Sequence, residues 1–287
     1  MLEIDTKLLQ FVYRCPLATL YLVGLEGTRS QRMTEAPNHI VITGASSGIG
    51  EALAAAYASP GTRLALTGRD QARLEAVADL CRNKGAEVEA ARLDVTEAQA
   101  MAEWFERQHD ARPLDLVIAN AGVAIPIGYG PGRAERARHT LAVNVTGVIN
   151  TVEPAIALMA ARGHGQIAIM SSLAGFRGLP SVPVYSASKA AVKAYGEALR
   201  VSFAPKGIAV SVICPGFVKS RITDSNDFPM PFLMDAARAA AIIKHGLARN
   251  RARIAFPFRL YAAVWLLAGL PPALVDRLLA RMPEKGG

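Results

Sequence analysis

The polar and apolar positions of this chain alternate between two periods. His39-Ile-Val-Ile-Thr43 is a β-branched run with no charged residue inside it, which predicts a buried strand, and an alanine-rich helix is expected over residues 51–58. The alternation then repeats. Strands are predicted over 63–67, 87–93, 114–119, 166–171 and 208–213, and helices over 71–83, 97–108 and 184–203. A loop rich in glycine and proline covers 123–132, and one unbroken helix follows it to about residue 162. Strands separated by helices build parallel βαβ units, so the pattern predicts an α/β, doubly wound parallel sheet with helices on both faces. Ligands on such sheets sit at the carboxyl ends of the strands.

Both ends of the chain depart from the alternation. Residues 8–25 are apolar but broken by Arg14, Pro16 and Gly24, and the longest uncharged run, 15–25, is too short to span a bilayer. Glu3 and Asp5 spoil the start of a signal peptide. This segment reads as a short helix that packs on the body or rests on a membrane, joined to the first strand by a polar linker. At the other end, residues 260–270 are strongly apolar, Pro271-Pro272 interrupts them, and an amphipathic helix resumes over 273–282 with Arg277 and Arg281. This pair is also too short to span. Tyr261, Trp265 and the arginines suit an interfacial anchor, an oligomer contact or a cover over a cleft. The division is therefore an N-terminal extension (1–37), a catalytic body (38–256) and an apolar helical C-terminal extension (257–287).

At 287 residues, 51% of them hydrophobic, the chain is long and apolar enough for one large domain with appendages. The net charge of +8 raises nucleic acid, an anionic membrane and a polyanionic ligand as partners. The cations are scattered apart from Arg249, Arg251 and Arg253, and the chain has neither an RNA-binding aromatic signature nor zinc spacing, so no nucleic-acid partner is expected. Cys15, Cys81 and Cys214 are odd in number and far apart, which argues against a disulfide framework. His39, His109, His139, His164 and His245 form no close pair, so no metal site is expected.

Two stretches carry chemistry. The first strand runs into Gly44-Ala-Ser-Ser-Gly48-Ile-Gly50 and then a helix, a junction where backbone N–H groups can approach a pyrophosphate. The spacing differs from the commoner Gly-x-Gly-x-x-Gly fingerprint. In Tyr185-Ser-Ala-Ser-Lys189, the tyrosine and lysine stand four apart and so share a helix face. An ammonium beside a phenol favours phenolate, which predicts a tyrosine pKa lowered towards neutrality and suited to proton transfer.

Together with Asp94-Val95, Asn120-Ala-Gly122, Asn144, Ser171-Ser172 and Pro215-Gly216, these stretches make residues 38–256 resemble the short-chain dehydrogenase/reductase family in its compact single-domain branch. Ser172 lies thirteen residues before Tyr185, as the family pattern requires. The resemblance implies a Rossmann-type fold and hydride transfer between a nicotinamide and a carbonyl or secondary alcohol. It makes Tyr185 the general acid or base, Lys189 its partner and a hold on the nicotinamide ribose, Ser172 the donor to the carbonyl oxygen, and Asn144 the holder of a proton-relay water. Gly44, Ser46, Ser47, Gly48, Ile49 and Gly50 would cradle the cofactor. Asp94 would accept from the adenine amino group, Val95 would flank the ring, and Asn120, Ala121 and Gly122 would shape the floor. Pro215, Gly216, Val218 and Ser220 would meet the nicotinamide end.

Members that use NAD commonly carry an acid in the slot filled here by Gly68, whereas Arg69 follows it, well placed for a 2′-phosphate; NADP is favoured over NAD. Asp70 is read as the N-cap of the next helix. Ala119 before Asn120 and Ser220 in place of threonine depart from the pattern without threatening the chemistry. The segment 220–234 would be the substrate loop, and Phe228-Pro-Met-Pro-Phe-Leu-Met234 suits either an apolar substrate or a lid packed on the cofactor. The resemblance also implies a homodimer or homotetramer in the cytoplasm, with peripheral membrane contact open through the C-terminal helices. A sugar or sugar-nucleotide enzyme of the longer branch, and a non-catalytic NADP-binding protein on the same fold, are the alternatives.

Overall fold

The computed structural model describes residues 36–125, 131–224 and 230–279. The apolar segment expected over 8–25 and the end of the helix expected over 273–282 lie outside these. Among the described residues there are seven strands, β1 His39–Thr43, β2 Arg63–Gly68, β3 Glu87–Arg92, β4 Leu116–Ala119, β5 Gly165–Met170, β6 Ile208–Pro215 and β7 Arg253–Phe256. All pair in parallel, in the order β3-β2-β1-β4-β5-β6-β7. The order reverses between β1 and β4, which opens a crevice outside their carboxyl ends.

Helices cover both faces. On one lie α1 (Gly48–Tyr57), α2 (Gln71–Arg82) and α8 (Ala236–Ala248), packed on Ile40, Ile42, Leu64, Leu66 and Ile118. On the other lie α3 (Ala98–Ala111), α5 (Gly147–Arg162) and α6 (Pro183–Phe203), whose Trp104, Phe105, Val152 and Val192 meet Val41, Val117 and Ile169. Successive strand residues thus point into opposite cores, which is why the strands read as continuous apolar runs rather than alternating ones. Asp70 caps α2 by accepting from the Arg73 backbone N–H at 3.1 Å, as expected.

Two features differ from the sequence reading. The helix expected between 133 and 162 is α4 (Arg133–Leu141) and α5 joined by a π-turn, Ala142–Thr146. The extra residue in that turn swells the backbone and turns Asn144 inward. Beyond β6, the reading named no further sheet elements, yet a short helix α7 (Arg221–Asp224), then α8 and the four-residue edge strand β7, complete the fold. The apolar C-terminal run forms α9 (Phe258–Gly269) and, after Pro271, α10 (Pro272–Leu279).

Candidate active site

The crevice is built from the end of β1. Gly44 and Gly48 hold φ of +66° and +60°, which favours glycine, and a Cβ on Gly50 would fall 2.3 Å from the Gly44 carbonyl oxygen. Asn120 fixes this loop from β4: its Nδ2 donates to the carbonyls of Thr43 and Gly44 at 3.0 and 3.1 Å. In return, Thr43 Oγ1 accepts from the backbone N–H groups of Asn120 and Ala121 at 3.1 and 3.2 Å. Ser47 is the N-cap of α1, but its hydroxyl makes no capping bond. Donors at that helix end therefore face the crevice, and the cradle fits a dinucleotide pyrophosphate. Ser220 lies over the loop, since a Cβ on Gly48 would meet its Cβ at 2.9 Å.

Farther along, Asp94 Oδ1 accepts from the backbone N–H and hydroxyl of Thr96 at 2.9 and 2.8 Å, and Oδ2 stands 4.0 Å from Arg69. Burial pushes this carboxyl up, but the Thr96 bonds, with Arg69 and His139, hold it below its usual range. Val95 is buried against Gly147, Val218 packs into the core below α8, and Ile49 packs at its margin.

On the opposite wall, Asn144 Oδ1 accepts from the Val123 N–H at 2.8 Å, while its Nδ2 donates to the Val123 carbonyl at 2.8 Å and to Ser188 Oγ at 3.0 Å. Ser188 donates on to the Tyr185 carbonyl at 2.7 Å, and Ser171 Oγ donates to the Lys189 carbonyl at 2.7 Å. These bonds tie the start of α6 to the π-turn and to β5. Thr43, Ser171 and Ser188 were given no role by the sequence reading, although all three stand inside or beside its motifs. Asn144 and Lys189 converge at Gly122, where a Cβ would lie 3.3 Å from Asn144 Oδ1 and 3.4 Å from Lys189 Nζ. Ser172 follows β5, close enough to the Tyr185 phenol for its hydroxyl to favour the charged form.

The phenol is not lowered as the four-residue spacing predicts. Burial raises the Tyr185 pKa, and Ser172 offsets this only in part. The Lys189 ammonium stands 5.7 Å from the Tyr185 ring centroid and donates to the Met170 carbonyl at 2.9 Å. Burial lowers its own pKa to about 8. Desolvation therefore acts on both partners and outweighs their attraction.

At the nicotinamide end, the Pro215 carbonyl lies 3.4 Å from Ser172 Oγ, and the Gly216 N–H donates to Phe256 at 2.7 Å. A Cβ on Gly216 would strike Leu260 of α9 at 2.9 Å, and Leu173 lies 3.5 Å from that same point.

The model of the short chain dehydrogenase family matches residues 38–228. The chain belongs to that family. An uncharacterized oxidoreductase of Myxococcus xanthus is 40% identical to it over 243 residues, 84% of this chain and 96% of that one. Among solved structures, a short-chain dehydrogenase from Sphingobium yanoikuyae in complex with NADPH superposes with a TM-score of 0.72 at 26% identity, covering 87% of this chain and 98% of that one. A short chain dehydrogenase/reductase from Burkholderia phymatum in complex with NAD gives 0.74 at 27% identity, covering 86% and 96%. The chain is thus an oxidoreductase of this family, with relatives of known structure that bind either nicotinamide dinucleotide.

Proposed function

We propose that this oxidoreductase is NADP(H)-dependent and interconverts a carbonyl and a secondary alcohol on an apolar or partly apolar substrate. The observation that carries the chemistry is the convergence of Ser172, Tyr185, Lys189 and Asn144 beside the dinucleotide crevice. When bound in the crevice, a reduced nicotinamide would supply the hydride to the carbonyl carbon. Ser172 donates to the carbonyl oxygen and holds it against Tyr185, stabilising charge that builds there. Tyr185 gives that oxygen its proton, and the alcohol leaves neutral. Lys189, close behind, stabilises the phenolate left on Tyr185. Asn144 keeps the wall that faces Lys189 in place and holds the water through which the proton is replaced.

The choice of NADP rests on the end of β2. The slot at its end is filled by Gly68 and so carries no acid, and a Cβ there would lie 3.1 Å from Ser46 Oγ. Asp70, the nearest alternative acid, is committed to Arg73 at 2.6 Å and to capping α2. Arg69, mostly exposed, is left to meet a 2′-phosphate. The substrate side is apolar: Phe232, held at φ +60°, and Leu233 are exposed beyond the β6 end. The same reading makes the protein a cytoplasmic homodimer or homotetramer, pairing through α5 and α6, where Ile149 and Val201 stand exposed.

The test is oxidation of NADPH and of NADH against ketones graded from sugars to long-chain and polycyclic compounds, with Tyr185→Phe alongside. Turnover with NADPH on the apolar ketones, lost by orders of magnitude in the variant while NADPH still binds, is the expected result. Turnover retained in the variant removes Tyr185 from its role.

A further inference from the structure

Ser172 stands at the head of a single 3₁₀ turn, Leu173–Gly175, that closes on Phe176. Few bonds of its own hold this turn. Ser172 Oγ accepts from the Ala174 N–H at 3.1 Å, and the Gly175 and Phe176 N–H groups donate to the carbonyls of Ser172 and Leu173 at 3.0 and 3.2 Å. Turns of this kind stay short because their bonding geometry is poor. The backbone of the turn lies against α6, where a Cβ on Gly175 would come within 2.8 Å of the Lys189 carbonyl oxygen. Glycine lets the two backbones meet but offers no side chain to interlock with the helix. Phe176 is the first residue after it that can.

Three elements meet the Phe176 ring. Lys193 Nζ, on α6 one turn beyond Lys189, and the Arg253 guanidinium, on β7, each stand 5.3 Å from its centroid. Tyr261 of α9 makes a T-shaped contact, with centroids 5.6 Å apart and ring planes at 69°. One carboxylate unites these groups. Glu197 takes Lys193 at 3.3 Å and also pairs with Arg253, whose Nη1 reaches Tyr261 Oη at 3.3 Å. Cations held over an aromatic face attract it, more strongly where water is excluded. Packing alone does not fix the ring, because a cleft of about 640 Å³ opens beside it, lined by Phe176, Lys193 and Trp265 among others. The ion pairs are partly exposed, so their charge adds little to stability. What they fix is the place of two cations, and with them the place of the ring.

We infer that Phe176 is a positioning residue: the grip of Lys193, Arg253 and Tyr261 on its ring fixes the turn on α6 and so sets Ser172 against Tyr185. This rests on the reaction proposed above. The serine is at one end of the turn and the ring at the other. A slide of the turn along α6 therefore carries the serine hydroxyl away from the carbonyl oxygen it must meet, and the reaction tolerates little misplacement there.

The test compares the full native chain with Phe176→Leu, Phe176→Tyr and Glu197→Gln. Leucine keeps the position apolar and removes the aromatic face, tyrosine keeps that face, and glutamine at 197 removes the charge that gathers the two cations. One readout is hydrogen exchange of residues 171–178, followed by mass spectrometry. The other is carbonyl reduction counted per NADPH-binding site, so that loss of folded protein does not enter. In Phe176→Leu, exchange in this segment should quicken about tenfold or more, and kcat should fall about tenfold or more with KM for ketone and NADPH nearly unchanged. Phe176→Tyr should restore most of both. Glu197→Gln should move both in the leucine direction by a smaller factor, and it decides should Phe176→Leu fail to fold. Native exchange or native kcat in Phe176→Leu overturns the inference. So does a loss of kcat that Phe176→Tyr shares in full, and so does a rise confined to KM for the ketone, which would put the ring in contact with substrate. Should the native chain reduce no ketone, the proposed reaction falls, and exchange alone decides whether Phe176 holds the turn.

Discussion

Lys189 and Asn144 meet across Gly122, each within 3.4 Å of the place where a side chain on that glycine would begin. The lysine arrives from α6, the asparagine from the π-turn, and a Cβ on Gly122 would press on both side-chain ends.

Because burial brings Lys189 to about 8, activity and stability should respond to pH in opposite directions. In the free enzyme, kcat/KM for carbonyl reduction should fall as pH rises through 8 and the ammonium is lost. The ordinary lysine value is 10.5. Between these values the unfolded chain holds a proton that the folded one has released, so this group adds stability as pH rises. The comparison to make is urea unfolding of the native chain against Lys189→Met. The native chain should gain on the variant from pH 8 upward, and a constant difference would show that the lysine is not perturbed.

Arg69→Ala should raise KM for NADPH about tenfold or more, the loss expected for ~1.5–3 kcal/mol of charged hydrogen bonding, while leaving NADH unchanged. Adding Gly68→Asp should turn the preference towards NADH. Steady-state kinetics with both cofactors decides. An unaltered NADPH to NADH ratio in Arg69→Ala would place the 2′-phosphate elsewhere.

Asn144→Ala should cost about 2 kcal/mol, because it strips both the N–H and the carbonyl of Val123 of their partner. Melting temperature should drop by a few degrees. Turnover should fall as well, since Ser188 and the start of α6 lose their tie to the π-turn. A variant with native turnover would show that the tie is dispensable for catalysis.

His39 offers a second pH effect, away from the site. Its Nδ1 lies 2.7 Å from the Arg112 carbonyl and must donate, which leaves Nε2 as the acceptor; that atom is buried without a partner. Burial lowers its pKa from 6.5, the Arg112 bond opposing this. As pH falls below 6.5 the unfolded chain takes the proton first, so stability drops. Urea midpoints from pH 8 to pH 5 should fall more steeply for the native chain than for His39→Gln.

The sheet through β6 and the cradle at Gly44–Gly50 were legible because β-branched runs, glycines and caps act locally. α8 and β7 were not foreseen. β7 is four residues long, opens on an arginine and becomes a strand only by pairing with β6. The π-turn was hidden as well, because nothing in Ala142-Val-Asn-Val-Thr146 departs from a helical composition; it is the bonds from Asn144 to Val123 that favour the swollen turn. The Tyr185–Lys189 spacing placed both groups correctly and misjudged the phenol, since spacing encodes attraction and says nothing of the water removed around each group. Ser188 and Ser171 act through backbone carbonyls brought near by the fold, which no residue pattern displays.

The contact of Leu260 with Gly216 and Leu173 makes α9 part of the wall behind the reacting groups, for Leu173 directly follows Ser172. A chain shortened after Phe256 would therefore lose more than an appendage: the backing of the serine would open to solvent, and Gly216 would gain a freedom it does not have in the whole protein. Trimming this end for convenience of expression would alter the enzyme being measured.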